Sequence, residues 1–244
     1  RIVVPALFAG LALGPAWAAA PAARLETGGS SLTQRHLEGL FAAPLRAPRD
    51  DASLLASLAA LLAELQDAGH LDARADATWD SAMVRSQGGH PARGPVLRIA
   101  IDEGPRYRLM SLAIDTPGAT DSARFAADLD LATDVWASPG AMTRAIERAV
   151  REAADHGHPY ATLGVSVFRW DSGGARVRLS GALGPMVTVA GVRIEGLRTT
   201  RRSLAERGMG RLTGAPFSEA AAAAARERLA RLGLFRAVEY RGLE

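Results

Sequence analysis

Cysteine is absent from all 244 residues. That excludes disulfide scaffolds, thiol nucleophiles and Cys-ligated zinc or iron–sulfur sites. Lysine is absent as well, so the 29 basic residues are all arginine. A Walker A phosphate loop, a Schiff-base lysine and an SxxK serine hydrolase each require a lysine, and none can be built from this chain. Histidine is scarce, at five residues, and no HExxH spacing occurs. Apart from one short run at the start, no stretch is apolar enough to cross a membrane as a helix. What remains is ordinary globular composition, 48% hydrophobic and 23% charged, with a formal net charge of +3. Asp and Glu are interspersed with the arginines throughout. The all-arginine usage therefore reads as compositional bias rather than a nucleic-acid footprint, and no nucleic-acid partner is expected.

The apolar run, Ile2 to Leu13, follows Arg1 and is interrupted by Pro5 and Gly10, then closed by Gly14 and Pro15. Its length fits the core of a signal peptide, and Ala16-Trp17-Ala18 fits the small-x-small cleavage rule. Residues 1–18 are thus expected to be a signal peptide, with Ala19 the mature start. The chain begins at Arg rather than Met, which reads as a missing first residue.

The rest repeats. Asp67-Ala68-Gly69-His70-Leu71-Asp72-Ala73 returns as Asp155-His156-Gly157-His158-Pro159-Tyr160-Ala161 and again as Arg231-Leu232-Gly233-Leu234-Phe235-Arg236-Ala237. A second block, Gly104-Pro105-Arg106-Tyr107 with Ser111 to Ile114, returns as Gly184-Pro185-Met186-Val187 with Gly191 to Ile194. Two unrelated blocks sharing a period of about 80 residues mark an internal repeat.

Each copy carries one element order. A long helix precedes each terminal Gly, with Leu54, Leu58, Leu61, Leu65 and Ala68 on one face in the first copy. Met142, Ile146, Ala149 and Ala153 form that face in the second, and Ala222, Ala225, Leu229 and Leu232 in the third. Ser138, with Pro139 behind it, and Ser218 are candidate N-caps. Gly69, Gly157 and Gly233 supply the left-handed residue that stops each helix. Two alternating strands follow in the second copy, joined at Asp171-Ser172-Gly173-Gly174. Leu163, Val165 and Val167 are expected on one face of the first of them, with Ser166 on the other. The matching pair in the first copy runs around Thr78 to Val84 and Val96 to Ile101, turning at Gln87 to His90. Opening strands are expected at Arg24 to Thr27, Arg108 to Ile114 and Val189 to Ile194. Shorter helices are expected at Ser122 to Leu129 and Thr200 to Arg207.

The unit is β-α-α-β-β. Its opening strand is separated from the others by two helices, so the compact solution is a three-stranded mixed sheet with both helices on one face. The fold class is α+β. The third copy ends before its last strand would come, so the natural protein is expected to continue.

Ile194-Glu195-Gly196, Gly214-Ala215-Pro216-Phe217 and Leu232-Gly233-Leu234-Phe235-Arg236-Ala237-Val238, in that order, resemble the POTRA domain. The resemblance divides the chain into POTRA-like domains at 24–107, 108–187 and 188–244, the first with a degenerate start and the third truncated. Tandem POTRA domains behind a signal peptide look like the periplasmic part of Omp85-superfamily outer-membrane proteins, TamA-like or BamA-like. The resemblance implies no enzyme and no cofactor. It implies unfolded outer-membrane proteins or autotransporters as clients, an inner-membrane or lipoprotein partner, and a C-terminal β-barrel beyond this segment. Two other readings stay open. A two-partner secretion transporter would carry two such domains and a plug helix; a divisome-type scaffold would carry one behind an uncleaved anchor.

An exported client can add a strand to an open sheet edge through its backbone. The expected edge is Leu163, Gly164, Val165, Ser166, Val167, Phe168 and Arg169. No catalytic, cofactor or metal site is expected. His70 and His158 hold one slot of the repeat, which needs no metal to explain it. Asp102-Glu103 reads as a solvated loop, because the matching Ala182-Leu183 carries no charge. Tyr107, Trp136, Tyr160 and Phe235 read as core.

Overall fold

A computed structural model describes residues 23–48, 50–85 and 91–243. The expected signal peptide at 1–18 and the turn at 87–90 lie outside the described residues. The fold falls into two compact units: Arg1–Leu62 with Ala73–Glu103, and Ala63–Asp72 with Gly104–Glu244.

In the first unit, β1 (Arg24–Gly28) is followed by α1 (Gln34–Leu40), α2 (Ala42–Arg46) and α3 (Asp51–Asp67), whose last turns belong to the second unit. Then come β2 (Arg74–Arg85) and β3 (Pro91–Asp102). The sheet order is β1-β3-β2, with β3 parallel to β1 and antiparallel to β2. The last strand is central because the opening strand has no other partner within reach. Where one short helix is expected after the opening strand, two occur. Pro44 has no N–H to continue the ladder, so the helix breaks at Phe41 and restarts. Phe41, Leu61, Val96 and Leu97 are fully buried.

The second unit repeats the plan with β4 (Leu109–Asp115), α4 (Ala119–Leu129), α5 (Pro139–Asp155), β5 (Thr162–Asp171) and β6 (Gly174–Ala182). Its sheet order is β4-β6-β5, again mixed. Met142, Ala145, Ala149 and Ala153 of α5 pack with Phe125 and Leu129 of α4 onto Ala175, Val177 and Leu179 of β6. Met142, Ala149 and Ala153 belong to the apolar stripe read from the sequence, whereas its fourth member, Ile146, is only partly buried and Ala145 is the buried neighbour. Ser138 caps α5, its side chain accepting from the Ala141 N–H at 3.0 Å, and Pro139 opens the first turn.

The same unit continues into α6 (Arg202–Met209) and α7 (Glu219–Arg231). Ser218 caps α7 by accepting from Ala221 N–H at 3.0 Å. The strand expected at Val189 to Ile194 does not form among the described residues. In the two sheets above, the opening strand pairs only with the closing strand of its own copy, and the described part of this copy contains none. Only the bridge between Thr188 and Pro216 is made.

The copies meet in a recurring arrangement. The carboxylate of Asp67 accepts from Ser138 Oγ at 3.1 Å and from Gly140 N–H at 2.6 Å. Asp155 accepts from Ser218 Oγ at 3.0 Å and from Ala220 N–H at 2.7 Å. Each carboxylate, at the end of one long helix, satisfies the first turn of the next, where backbone donors have no partner inside the helix. Tyr107 N–H donates to Gly69 O at 2.9 Å, and Val187 N–H to Gly157 O at 2.7 Å. All three stop glycines have positive φ: 101° at Gly69, 96° at Gly157 and 66° at Gly233.

Candidate strand-docking edge

β5 holds the whole expected edge, Leu163 to Arg169, and it is the terminal strand of its sheet. Its register against β6 pairs Leu163 with Gly181, Val165 with Leu179, Phe168 with Val177, Arg169 with Arg176 and Trp170 with Ala175. Between Val165 and Val167 the register shifts, which makes Ser166 the extra residue of a β-bulge. The Ser166 hydroxyl donates to Arg178 O at 3.0 Å.

The bulge corrects the expected facing. Residues opposite one another share a face, and Val177 and Leu179 point into the core. Leu163, Val165, Phe168 and Trp170 therefore lie on the helix side. Val167, paired with Arg178, lies on the open side instead of joining Val165. An alternating pattern in the sequence shows no bulge, because the extra residue is a property of the pairing and not of either strand alone.

The direction of the backbone groups follows from β6. Ala175 N–H donates to Arg108 O at 2.7 Å, so Ala175 turns its backbone towards β4, and Gly174 and Arg176 turn theirs towards β5. Alternation then directs Arg169, Gly164 and Thr162 inwards to β6. It leaves the backbone groups of Leu163, Val165, Phe168 and Trp170 on the outer edge. Ser166 is the extra residue of the bulge, tied by its hydroxyl to Arg178 O, so a proline there would disturb the bulge rather than report on the edge.

The two faces differ in charge. On the helix side, Phe168 and Trp170 stack tilted at 5.3 Å between ring centroids. The Trp170 indole N–H donates to Asp72 Oδ1 at 2.9 Å, and Asp72 also accepts from Tyr107 OH. That hydrogen bond holds the Tyr107 hydroxyl above its ordinary pKa of 10.0. On the open side, Arg176 pairs with Asp171 at 2.7 Å and Arg178 with Asp115 at 3.3 Å. Arg176 and the Gly173 N–H together hold the Asp171 carboxyl below its ordinary value.

A chain with two mixed three-stranded sheets and flanking helices has counterparts among solved structures. The POTRA3-5 fragment of BamA from Haemophilus influenzae superposes with a TM-score of 0.59, over 92% of this chain and 92% of that one, at 19% identity. The fold is that of tandem POTRA domains. POTRA1-3 of the periplasmic domain of Omp85 from Anabaena is similar at a TM-score of 0.37 and 14% identity, over 90% of this chain and 87% of its own. BamA from Haemophilus ducreyi lacking POTRA domains 1-3 is similar at 0.40 and 12% identity; 67% of this chain is matched, spanning 28% of that one. No protein-family model and no curated protein matches the sequence.

Several residues singled out in the sequence have structural duties in the POTRA frame. His70 Nδ1 lies 3.0 Å from Gly104 O and His158 Nδ1 lies 3.2 Å from Gly184 O, the same contact in successive copies. Glu103 accepts from Ser30 and Ser31. Among the described residues, no group of three or more His, Asp and Glu is placed to hold a metal, and no helix is long and apolar enough to cross a membrane. The aromatics depart from expectation. Tyr160 is 58% exposed and Trp136 is 41% exposed, rather than core. The Arg106 and Arg108 guanidiniums lie over the Trp136 ring, at 4.1 and 4.7 Å from its centroid. Asp72, which orders Trp170, escaped the sequence reading because a lone carboxylate in a turn carries no pattern.

Proposed function

We propose that this chain is the periplasmic POTRA region of an Omp85-superfamily outer-membrane assembly or translocation factor. It carries a signal peptide at 1–18, POTRA domains at 24–107, 108–187 and 188–244, and a C-terminal β-barrel beyond this segment. Its clients are unfolded outer-membrane proteins or autotransporters, and an inner-membrane or lipoprotein partner completes the machine. The activity is binding, not catalysis. Clients add a strand along β5, from Leu163 to Arg169.

The observation supporting this reading is that β5 is a terminal strand whose outward backbone groups at Leu163, Val165, Phe168 and Trp170 have no strand beside them among the described residues. Strand addition uses main-chain hydrogen bonds for affinity, which suits clients of many sequences. Val165 provides the test, because its amide faces outwards and its side chain is 49% exposed. Proline at 165 deletes one outward donor, while alanine keeps it. Titration with an extended, end-blocked peptide should show capture weakened several-fold in Val165→Pro and little changed in Val165→Ala, with circular dichroism confirming the fold of each. Equal affinity for both variants and the parent would remove the Leu163–Val165 stretch of β5 from the client site.

A further inference from the structure

The bulge at Ser166 has a consequence on the outer edge. Outward backbone groups are spaced two residues apart from Leu163 to Val165 and from Phe168 to Trp170, but three apart across the bulge. A straight incoming strand cannot stay in register with both halves, so the edge is two short docks rather than one long one.

The halves are chemically unlike. The half at Thr162 to Val165 has no charged side chain. The half at Val167 to Asp171 has an apolar wall on the helix side, Phe168 and Trp170, with the Trp170 indole fixed by Asp72. On the open side stands Arg169, exposed and directly opposite Arg176. Like charges directly opposite one another are unfavourable in a sheet. Arg176 is compensated by Asp171, and Arg178 by Asp115. Arg169 has no carboxylate facing it among the described residues. The surplus positive charge of this face therefore sits on the outermost strand, where an added strand would lie directly beside it.

We infer that the Phe168–Trp170 half of β5 selects short extended segments in which an acidic residue lies between two apolar ones, the acid opposite Arg169 and the apolar side chains against Phe168 and Trp170. The inference rests on β5 being the client edge, and it adds a sequence preference to a contact otherwise made by backbone alone. Opposite charges directly across a sheet attract about as strongly as like charges repel, so exchanging acid for base should shift affinity about three- to tenfold.

The test uses the full chain and two end-blocked peptides of alternating Val, one with Glu at the intervening positions and one with Lys. The parent should bind the Glu peptide about three- to tenfold tighter, with the difference shrinking as salt is raised. Arg169→Glu should reverse the order, while Arg226→Glu, the same charge change on an exposed face of α7, should leave it unchanged. Circular dichroism of each variant separates lost preference from lost fold. Equal binding of both peptides, or a Glu preference that survives Arg169→Glu, overturns the selectivity while leaving strand capture intact. Binding of neither peptide overturns the client edge itself, and the selectivity with it.

Discussion

The second and third copies start from nearly the same local instructions and reach different ends. Both have a serine-capped long helix, both receive a carboxylate from the preceding helix, and both place a short helix against the long one. In the second copy that helix pair closes on a sheet, and Phe125, Leu179 and Ala149 are fully buried. In the third, Ala205, Met209, Ala225 and Leu229 form a small cluster with Ile194 and Phe235 only partly covered. Leu232, Leu234 and Tyr240 remain 42%, 53% and 48% exposed. Helices, caps and stops need only neighbours in sequence; a core needs the strand that arrives last. In both sheets of the described residues the closing strand is central, and among the described residues the helices of the third copy have no such sheet to cover.

Truncating the core should separate the copies most strongly. Leu179 is fully buried between β4 and β5, so Leu179→Ala leaves a cavity and should cost about 3–4 kcal/mol. Leu229, 8% exposed in the looser cluster, can be partly filled by its neighbours and should cost about 1–2 kcal/mol. Urea unfolding followed by far-ultraviolet circular dichroism would measure both. Equal costs would show the third copy to be packed as tightly as the second.

The stop glycines give a finer contrast. Both adopt the left-handed conformation, which a β-branched side chain resists by about 1–2 kcal/mol. At Gly157 a Cβ would also meet Met186 and Pro216 at 3.3 Å, whereas at Gly233 it would meet nothing within 4 Å. Gly157→Val should therefore destabilise by about 2–3 kcal/mol and Gly233→Val by about 1–2 kcal/mol. Thermal melts of the two variants would decide it; a larger loss at Gly233 would break the equivalence of the two stops.

The smallest expected effect concerns the hairpin turn, which the second copy has and the described part of the third does not. Arg176 and the Gly173 amide lower the Asp171 pKa from its ordinary 3.8. The folded turn therefore binds its proton less readily than the unfolded chain. Its contribution is present above about pH 3.8 and is lost as the pH falls through the lower, folded value. Hydrogen exchange at Gly173 should accelerate in that acid window and not in Asp171→Asn, whose exchange should already be fast at neutral pH.

The repeated element order, the three glycine stops, the two serine caps and the apolar stripe of α5 were all legible in the residues alone. Each depends on contacts three or four residues apart, so a short window of sequence contains the whole interaction. The β-α-α-β-β order also implied a mixed sheet, since a strand separated from its partner by two helices cannot return by a tight turn. The splitting of the first short helix was decided by Pro44 acting against the repeat. Which face each side chain of β5 presents was decided by the register with β6, where one extra residue at Ser166 carries Phe168 and Trp170 to the helix side and leaves Val167 on the open side. Asp72, Asp67 and Asp155 are ordinary carboxylates in sequence, and only the approach of chain segments some 65 to 98 residues away gives them partners. Helix signals are written locally, whereas pairing, facing and the charge surplus at Arg169 come from residues that meet only when the chain has folded.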